Sequence, residues 1–420
     1  MARRYFGTDG VRGIYGQALD PDLAERLARA ATLWSGAREV FVGRDTRASG
    51  LELAEAVGRG IASAGANARL GGVLPTPAVA LQARELGVVI SASHNPPEYN
   101  GVKFFRAGAK LTDDEEEAVE ARLDAAAADE EGAVGELGGA AEAYRAYILD
   151  RFGSDLSGLR VAVDCAHGAY SGIAPGAFEQ LGAEVGAMGI DPNGTNINMG
   201  CGATDTMALE ELVVGGGYDL GIAFDGDGDR MLAVDERGET LDGDQILAIL
   251  ALDLGVELVA VTEMTNQGFH VLMREHGIRV VTTEVGDRYV LEALDRERGL
   301  LGGEQSGHII YLRDHVTGDG LAAALLLCAA LRGRRLSEAA AVLELYPQAK
   351  ENVRVRSKEL SPAIRDAVAK LNAELGDGGR ALVRPSGTEP LVRILVEAED
   401  ERAAEDACAS LATLVERELG

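Results

Sequence analysis

Positive charge is what this sequence has least of. Its 420 residues carry 40 Lys and Arg against 68 Asp and Glu, a formal net charge of −28. Such a surface repels nucleic acid and anionic membrane, which argues against both as partners. It also repels a phosphorylated metabolite, so an anionic substrate requires basic residues gathered locally. Cysteine is scarce: Cys165, Cys201, Cys328 and Cys408 stand singly, with no CxxC pair. Neither a zinc site nor a disulfide framework is indicated, and a reduced, cytoplasmic compartment fits. Long apolar runs are missing too. The longest lies in LAAALLLCAAL, residues 321 to 331, short of the ~20 residues that span a bilayer. The start, MARRYFGTDG, has no apolar core behind its basic residues and does not read as a secretory signal. No short-period repeat suggests a solenoid. No GxxxxGK(S/T) suggests an NTP-driven kinase, and no GxSxG suggests a serine hydrolase.

What is present is a globular profile, 46% hydrophobic and 26% charged, with length for roughly two to four domains. Apolar runs alternate with helical patterns: EVFVG (39–43), ARLGGVL (68–74), GVVIS (87–91), LRVAVDCAHG (159–168), YDLGIAFDGDGDR (218–230), ELVAVTEM (257–264) and IRVVTTEVGDR (278–288). This rhythm predicts α/β domains with largely parallel pairing. The acidic segment 111–152 predicts solvated helices, the first capped by Thr112, leading to a domain boundary near 152. Further junctions are expected after the hairpin-like RMLAVDERGETLDG and near Pro347. The tail from about residue 350 reads as strand, helix, strand, helix, a small α+β domain.

The strongest chemical signal is DGDGDR. Asp225, Asp227 and Asp229 alternate with glycines directly after an apolar strand. Carboxylates this close repel one another, and burying them is costly unless they share a cation. Oxygen ligands in a row suit Mg²⁺ or Ca²⁺, and the glycines allow a tight fold around one ion. An EF-hand loop would place Asp at positions 1, 3 and 5 and Glu236 at 12, but Arg230 occupies position 6, where the sharp turn needs Gly. A solvated acidic turn is the plain alternative.

Basic and hydroxyl groups gather elsewhere. RPSGTEPLVR (384–393) brings Arg384, Ser386, Gly387, Thr388 and Arg393 together, which suits a phosphate dianion or makes an ordinary turn. GTDGVRG (7–13) offers Arg12, and GRDTRASG (43–50) offers Arg44 and Arg47. GGEQSGHII (302–310) alternates Glu304, Ser306 and His308. If extended, it turns all three to one side, as a sugar's hydroxyls would require. His308 is either a proton carrier or structural. VVISASHNPPEYNGVKFF (88–105) ends an apolar strand at Ser91, Ser93 and His94 and places Lys103 in a second apolar run. With Asn95 and Pro96 shaping a turn, it reads equally as a satisfied polar loop or as the seat of a nucleophile.

In this order, GTDGVRG, SASHNPPEYNGVK, DGDGDR, GGEQSGH and RPSGTEP resemble the motif set of the α-D-phosphohexomutase superfamily, from residue 7 to 390. YFGTDGVRG, GATD (202–205) and Gln305 are similar to its bacterial branch acting on glucosamine phosphates. Relatives acting on mannose and glucose phosphates typically carry Met where Gln305 stands. The resemblance implies a heart-shaped, four-domain α/β architecture: three mixed-sheet α/β domains at 1–152, 153–246 and 247–347, and a smaller α+β domain at 348–420. It implies an isomerase that interconverts glucosamine 6-phosphate and glucosamine 1-phosphate and so feeds UDP-N-acetylglucosamine and cell-wall synthesis. Mannose or glucose phosphates are the alternative substrates. A metal-dependent sugar phosphatase using an Asp nucleophile, and a non-catalytic sugar-phosphate sensor, are the rivals.

The resemblance also assigns roles. Ser93 carries the phosphoryl group, while Ser91 supports the loop. Asp225, Asp227 and Asp229 bind Mg²⁺ together with the phosphate on Ser93. Glu304 and Ser306 hold sugar hydroxyls. Arg384, Ser386, Gly387, Thr388 and Arg393 grip the non-reacting phosphate. Arg12, His94, Lys103, Arg230 and His308 serve charge stabilisation or proton transfer. Lys103 is the expected acid or base, its pKa lowered by burial beside other cations. Glucosamine 1,6-bisphosphate or glucose 1,6-bisphosphate is the implied activating donor. The partner is a small-molecule sugar phosphate, and a homodimer is expected from the family alone. One stretch, EMTNQGFHVLM (263–273), departs from the family's SNLGL-type run near the expected substrate cleft.

Overall fold

The computed structural model describes residues 4–7, 9–386 and 390–420. The apolar runs form strands of mixed sheets, most of them central, with Arg279–Thr283 at the edge of the third. In the first domain the strands lie in the order Val11–Ile14, Tyr99–Arg106, Leu86–Ile90, Glu39–Arg44, Asn67–Val73 and Val134–Glu136, with Ala109–Lys110 pairing beside Tyr99–Arg106. Glu39–Arg44 runs parallel to both neighbours, which demands crossovers. The helices Gly50–Ser63 and Thr76–Gln82 supply them. Leu86–Ile90 is buried along its whole length, as an unbroken apolar run requires when both faces are covered. The chain then reverses through residues 91–98 and returns antiparallel, pairing Val89 with Lys103. That reversal sets the serine-rich loop at the carboxyl end of the parallel strands, where open α/β sheets bind ligands.

The second sheet runs Thr240–Leu241, Met231–Asp235, Leu220–Phe224, Arg160–Asp164, Glu184–Met188. Leu220–Phe224 and Met231–Asp235 form an antiparallel pair that brackets DGDGDR, with Phe224 opposite Met231. These strand flanks exclude the EF-hand, and Glu236 instead accepts a hydrogen bond from the Ser337 hydroxyl at 2.5 Å. In the third sheet Leu301–Gly303 pairs parallel with Leu258–Thr262 and antiparallel with Ile309–Tyr311. LAAALLLCAAL forms the helix Gly320–Leu331, buried on nearly every side and capped by Asp319. No helix among the described residues is long and apolar enough to cross a membrane.

Segment 111–152 holds more than solvated helices. Thr112 caps Asp113–Glu120 with a full capping box, but a short strand, Val134–Glu136, follows and extends the first sheet in parallel with Asn67–Val73. Several of the acidic residues are engaged, Glu120 and Glu116 among them. Glu120 accepts the backbone N–H groups of Arg4, Tyr5 and Phe6, and buried Glu116 lies 3.4 Å from Arg288.

The chain forms two compact units, residues 1–264 with 280–341 and residues 265–279 with 342–420. The second has a three-stranded antiparallel sheet in the order Gln348–Arg354, Leu391–Ala398, Gly379–Pro385, with the helices Pro362–Leu375 and Glu401–Leu419. The tail is thus strand, helix, two strands, helix. The helix Gln267–Glu275, inside the departing stretch 263–273, belongs to this unit: the Gln267 N–H donates to Glu397 at 2.9 Å, and Arg274 pairs with Asp377 at 2.7 Å.

Candidate active site

Ser93 is buried, 1% exposed, and has a left-handed backbone with φ of 52°, a conformation that costs a non-glycine residue roughly 1 kcal/mol or more. A scaffold holds it there. The Ser91 hydroxyl accepts the Ser93 N–H at 2.8 Å and donates to Asp45 at 2.6 Å. The Asp45 carboxylate pairs with Arg47 at 2.8 Å. Arg47 donates to the carbonyls of Ser93, Asn95 and Tyr99 at 2.8–2.9 Å, and also to that of Pro96. Arg47 was expected to offer charge to an anion. It is instead spent inside the loop, because five-donor guanidinium is the side chain that can satisfy several converging carbonyls at once. Arg44 donates to the Asp45 carbonyl at 3.1 Å. Ser91 supports the loop as expected.

The Ser93 hydroxyl donates to Asp225 at 2.6 Å. One oxygen each from Asp225, Asp227 and Asp229 lies within 4.8 Å of the others, and all three residues are buried. Burial, then Asp229 and Asp227, push the Asp225 carboxyl well above its ordinary range. One buried oxygen of Asp227 and one of Asp229 have no hydrogen-bond partner among the described residues. Oxygen donors that converge, repel and stay unpaired fit a hard divalent cation. Thr76, from the first domain, steadies Asp227 through its hydroxyl at 2.6 Å and its N–H at 2.8 Å. On Gly226 a Cβ would come within 2.7 Å of the Ser93 carbonyl oxygen, so the metal loop can approach the serine only as glycine.

Lys103 is 1% exposed, and its ammonium lies 2.8 Å from Asp227, 2.9 Å from Asp9 and 3.7 Å from Asp229. The expectation of a pKa lowered by burial beside cations is corrected here. Burial does push it down, but Asp227, Asp9 and Asp229 outweigh burial and raise it. Asp9 also pairs with Arg12 and, at 2.8 Å, with Lys110. Lys110 pairs in turn with Asp287 at 2.6 Å, and His308 lies 3.3 Å from Asp287 and 3.8 Å from Asp229. Burial lowers the His308 pKa, yet Asp287 and Asp229 raise it overall. His94 lies 3.3 Å from the Ser93 hydroxyl and 3.3 Å from Arg230. Burial, Arg230 and Arg12 lower its pKa to about 4, so it is neutral near pH 7.

GGEQSGH does not stay extended. Residues 304–308 form the turn between Leu301–Gly303 and Ile309–Tyr311, with Gly307 at φ 91°. Alternation therefore fails to align the three side chains: Glu304 and His308 are buried and Ser306 is exposed. Glu304 accepts the Gly286 N–H at 3.1 Å, and burial, then Asp287, raise its pKa. Gln305 donates to Asp242 at 3.1 Å, the carboxylate that caps the helix Gly243–Leu254.

In the second unit Arg384 and Arg393 sit opposite each other on paired strands. Like charges so placed repel unless an anion lies between them. Lys358, which no motif marked, donates to the Ser386 carbonyl at 2.8 Å. Gly387 and Thr388 lie outside the described residues. Asp9, Lys110, Asp287 and Thr76 also went unmarked. Asp9 sits inside GTDGVRG near the predicted Arg12, which was the available signal, whereas Asp287 in VGDR stands beside Arg288, which no motif singled out.

Phosphoglucomutase/phosphomannomutase alpha/beta/alpha domains I, II and III match residues 3–130, 142–238 and 242–348, and the C-terminal domain of that family matches 351–414. A phosphoglucosamine mutase of Moorella thermoacetica is 47% identical over 97% of this chain and 98% of its own. One from an Azoarcus species is 46% identical over 99% of both. Among solved structures, a phosphoglucomutase/phosphomannomutase family protein of Burkholderia thailandensis superposes with a TM-score of 0.85 at 24% identity, covering 98% of each chain. Aspergillus fumigatus N-acetylphosphoglucosamine mutase, solved with GlcNAc-6P and magnesium, gives 0.66 at 18% identity, covering 99% of this chain and 96% of that one.

Proposed function

Because the chain belongs to the phosphoglucomutase/phosphomannomutase family, we propose that it interconverts glucosamine 6-phosphate and glucosamine 1-phosphate with Ser93 as phosphoryl carrier. The observation behind this is the buried Ser93 hydroxyl on Asp225, at the edge of three converging carboxylates. The choice of glucosamine rests on relatives named phosphoglucosamine mutase at 43–47% identity over nearly the whole chain.

In the forward direction the Oγ–P bond of phospho-Ser93 breaks and a bond forms from phosphorus to the sugar's 1-hydroxyl oxygen. The hydroxyl proton passes to the site and the serine oxygen regains one. The bound 1,6-bisphosphate then reorients, and Ser93 takes the phosphoryl group from the 6-position, leaving the 1-phosphate. Nothing is oxidised, and no phosphate is released. Mg²⁺ held by Asp225, Asp227, Asp229 and phospho-Ser93 would neutralise charge on the transferring group. Lys103, Arg12 and Arg230 hold positive charge around the same place with His308 beside them, and positioning plus electrostatics carries such transfers. Glu304 and Ser306 are assigned to sugar hydroxyls. Arg384, Ser386, Gly387, Thr388 and Arg393 are assigned to the distal phosphate. Glucose 1,6-bisphosphate or its glucosamine counterpart primes Ser93. Domain limits of 1–152, 153–246, 247–347 and 348–420, a cytoplasmic location and a homodimer complete the proposal.

Intact mass should show one phosphate after incubation with glucose 1,6-bisphosphate, and Ser93→Ala should neither gain it nor turn over either isomer. Steady release of inorganic phosphate by the wild type would favour a phosphatase and overturn the mutase reading. Faster turnover of mannose or glucose phosphates would overturn the choice of glucosamine.

A further inference from the structure

Ser93 is one of eight non-glycine residues with positive φ among the described residues, and three others, Ala166, His167 and Asn198, lie in the second domain. Backbone strain of this kind persists only where surroundings enforce it, and it gathers where geometry matters. Asn198 is the member that touches Ser93. Its side-chain amide donates to the Ser93 carbonyl at 2.9 Å and to the Asn95 carbonyl at 3.1 Å. These two carbonyls are also bound by Arg47. Arg47 belongs to the same domain as the loop it holds. Asn198 comes from the irregular segment between Met188 and Met207 of the second domain.

Backbone hydrogen bonds tie that segment to the metal loop. The Asn198 N–H donates to the Ala166 carbonyl at 2.9 Å, and the Ala169 N–H donates to the Gly226 carbonyl at 2.9 Å. Asp164 clamps the same stretch, accepting the Ala166 N–H at 2.9 Å and the Gly202 N–H at 2.6 Å. A Cβ added to Gly226 would lie 3.0 Å from the Asn198 amide nitrogen and 2.8 Å from Ile197. Asn198 therefore sits where the serine loop, the metal loop and the irregular segment meet. Asparagine tolerates a left-handed backbone better than other branched or long side chains, and its amide supplies two donors to two carbonyls.

We propose that Asn198 is a positioning residue for phosphoryl transfer, fixing the serine loop of the first domain against the metal loop of the second. It touches neither the sugar nor the reacting oxygens. It acts by holding the Ser93 peptide so that Oγ faces Asp225. The inference rests on Ser93 being the phosphoryl carrier.

Three variants test it. Asn198→Gly keeps the left-handed backbone and removes the amide. Asn198→Ala removes the amide with some backbone strain. Asn198→Asp points a carboxylate at two carbonyl oxygens. Expected is a fall in kcat of roughly tenfold to hundredfold in all three, the scale of a misplacement near 1 Å. KM for glucosamine 6-phosphate should stay within about twofold, since uniform binding is untouched. Phosphate uptake by Ser93 from glucose 1,6-bisphosphate, followed by intact mass, should slow in parallel. Assays run below the melting temperature of every variant, so a purely structural role leaves kcat unchanged there. Wild-type kcat in Asn198→Gly overturns the inference alone. A wild type that never phosphorylates Ser93 overturns both it and the mutase reading.

Discussion

Ser93 and Asp225 lie 132 positions apart in different domains, and the serine hydroxyl donates to the aspartate at 2.6 Å. The contact closes a buried acidic cluster whose own members repel. Without a cation, that repulsion and the burial of charge weigh against the folded state. The chelated Asp225→Asn protein should therefore melt no lower than the chelated wild type. Saturating Mg²⁺ should stabilise the wild type by about 2.7 kcal/mol at a hundredfold excess over Kd, and the variant far less. Thermal melts with EDTA and with Mg²⁺ decide this. Equal Mg²⁺ stabilisation of both proteins would remove Asp225 from the metal site.

Arg47 and Asp45 form an ion pair with both side chains fully buried. Removing one partner leaves the other charged or forces it to take up a proton. Arg47→Met should cost about 3–5 kcal/mol, the usual toll for half of a buried pair. It should also leave the carbonyls of Ser93, Asn95 and Tyr99 short of a donor. A lower urea midpoint is the expected result, and a loss below about 1 kcal/mol would contradict the scaffold role.

Legibility in the sequence followed the reach of each interaction. The Ser93 loop and the DGDGDR hairpin were readable because strand, turn and ligands are contiguous. Asp9 was not, because its partners Lys103 and Lys110 reach it only after Val11–Ile14 pairs with Tyr99–Arg106. The same long-range pairing reverses the expectation for Lys103, because Asp227, Asp9 and Asp229 outweigh both burial and the nearby Arg12. Val134–Glu136 was missed because three residues carry no period. Its strand character comes from Asn67–Val73 alongside. Ser306 was misplaced because a two-residue alternation means one face only in an extended chain, and Gly307 turns this one.

Gln305 is one of the residues behind the resemblance to the glucosamine-type branch, yet its amide donates to Asp242, the cap of a neighbouring helix. Its role in this chain is to join the turn to that helix. Gln305→Met should leave the relative turnover of glucosamine, glucose and mannose phosphates within about threefold of wild type and cost about 1 kcal/mol for the lost hydrogen bond. Parallel assays on the three sugar phosphates read this directly. A switch of preference toward mannose or glucose would show that the side chain acts on the substrate after all.

Asp319 gathers five donors next to the metal loop, where the Gly320 N–H donates to the Gly228 carbonyl at 3.0 Å. Tyr144 and Tyr170 donate their hydroxyls at 2.7 and 2.8 Å, His315 lies at 3.0 Å, and the Leu321 and Ala322 N–H groups cap the helix at 2.9 and 3.0 Å. Burial pushes the carboxyl up, but the hydrogen bond from His315, then Ala322 and Tyr144, hold it below the ordinary carboxylate range. A depressed folded pKa adds stability above the unfolded value, near 3.9, and the contribution is lost as pH falls through the folded value. Asp319→Asn keeps the size but not the charge. It should be less stable than wild type at pH 7 by roughly 1–3 kcal/mol. The gap should begin to close as the pH drops below about 3.9 and vanish below the depressed folded value, where the wild-type carboxyl is neutral too. Urea midpoints measured from neutral to acid pH test the sign: a gap that stays constant, or widens, would show that the network draws nothing from the ionised carboxylate.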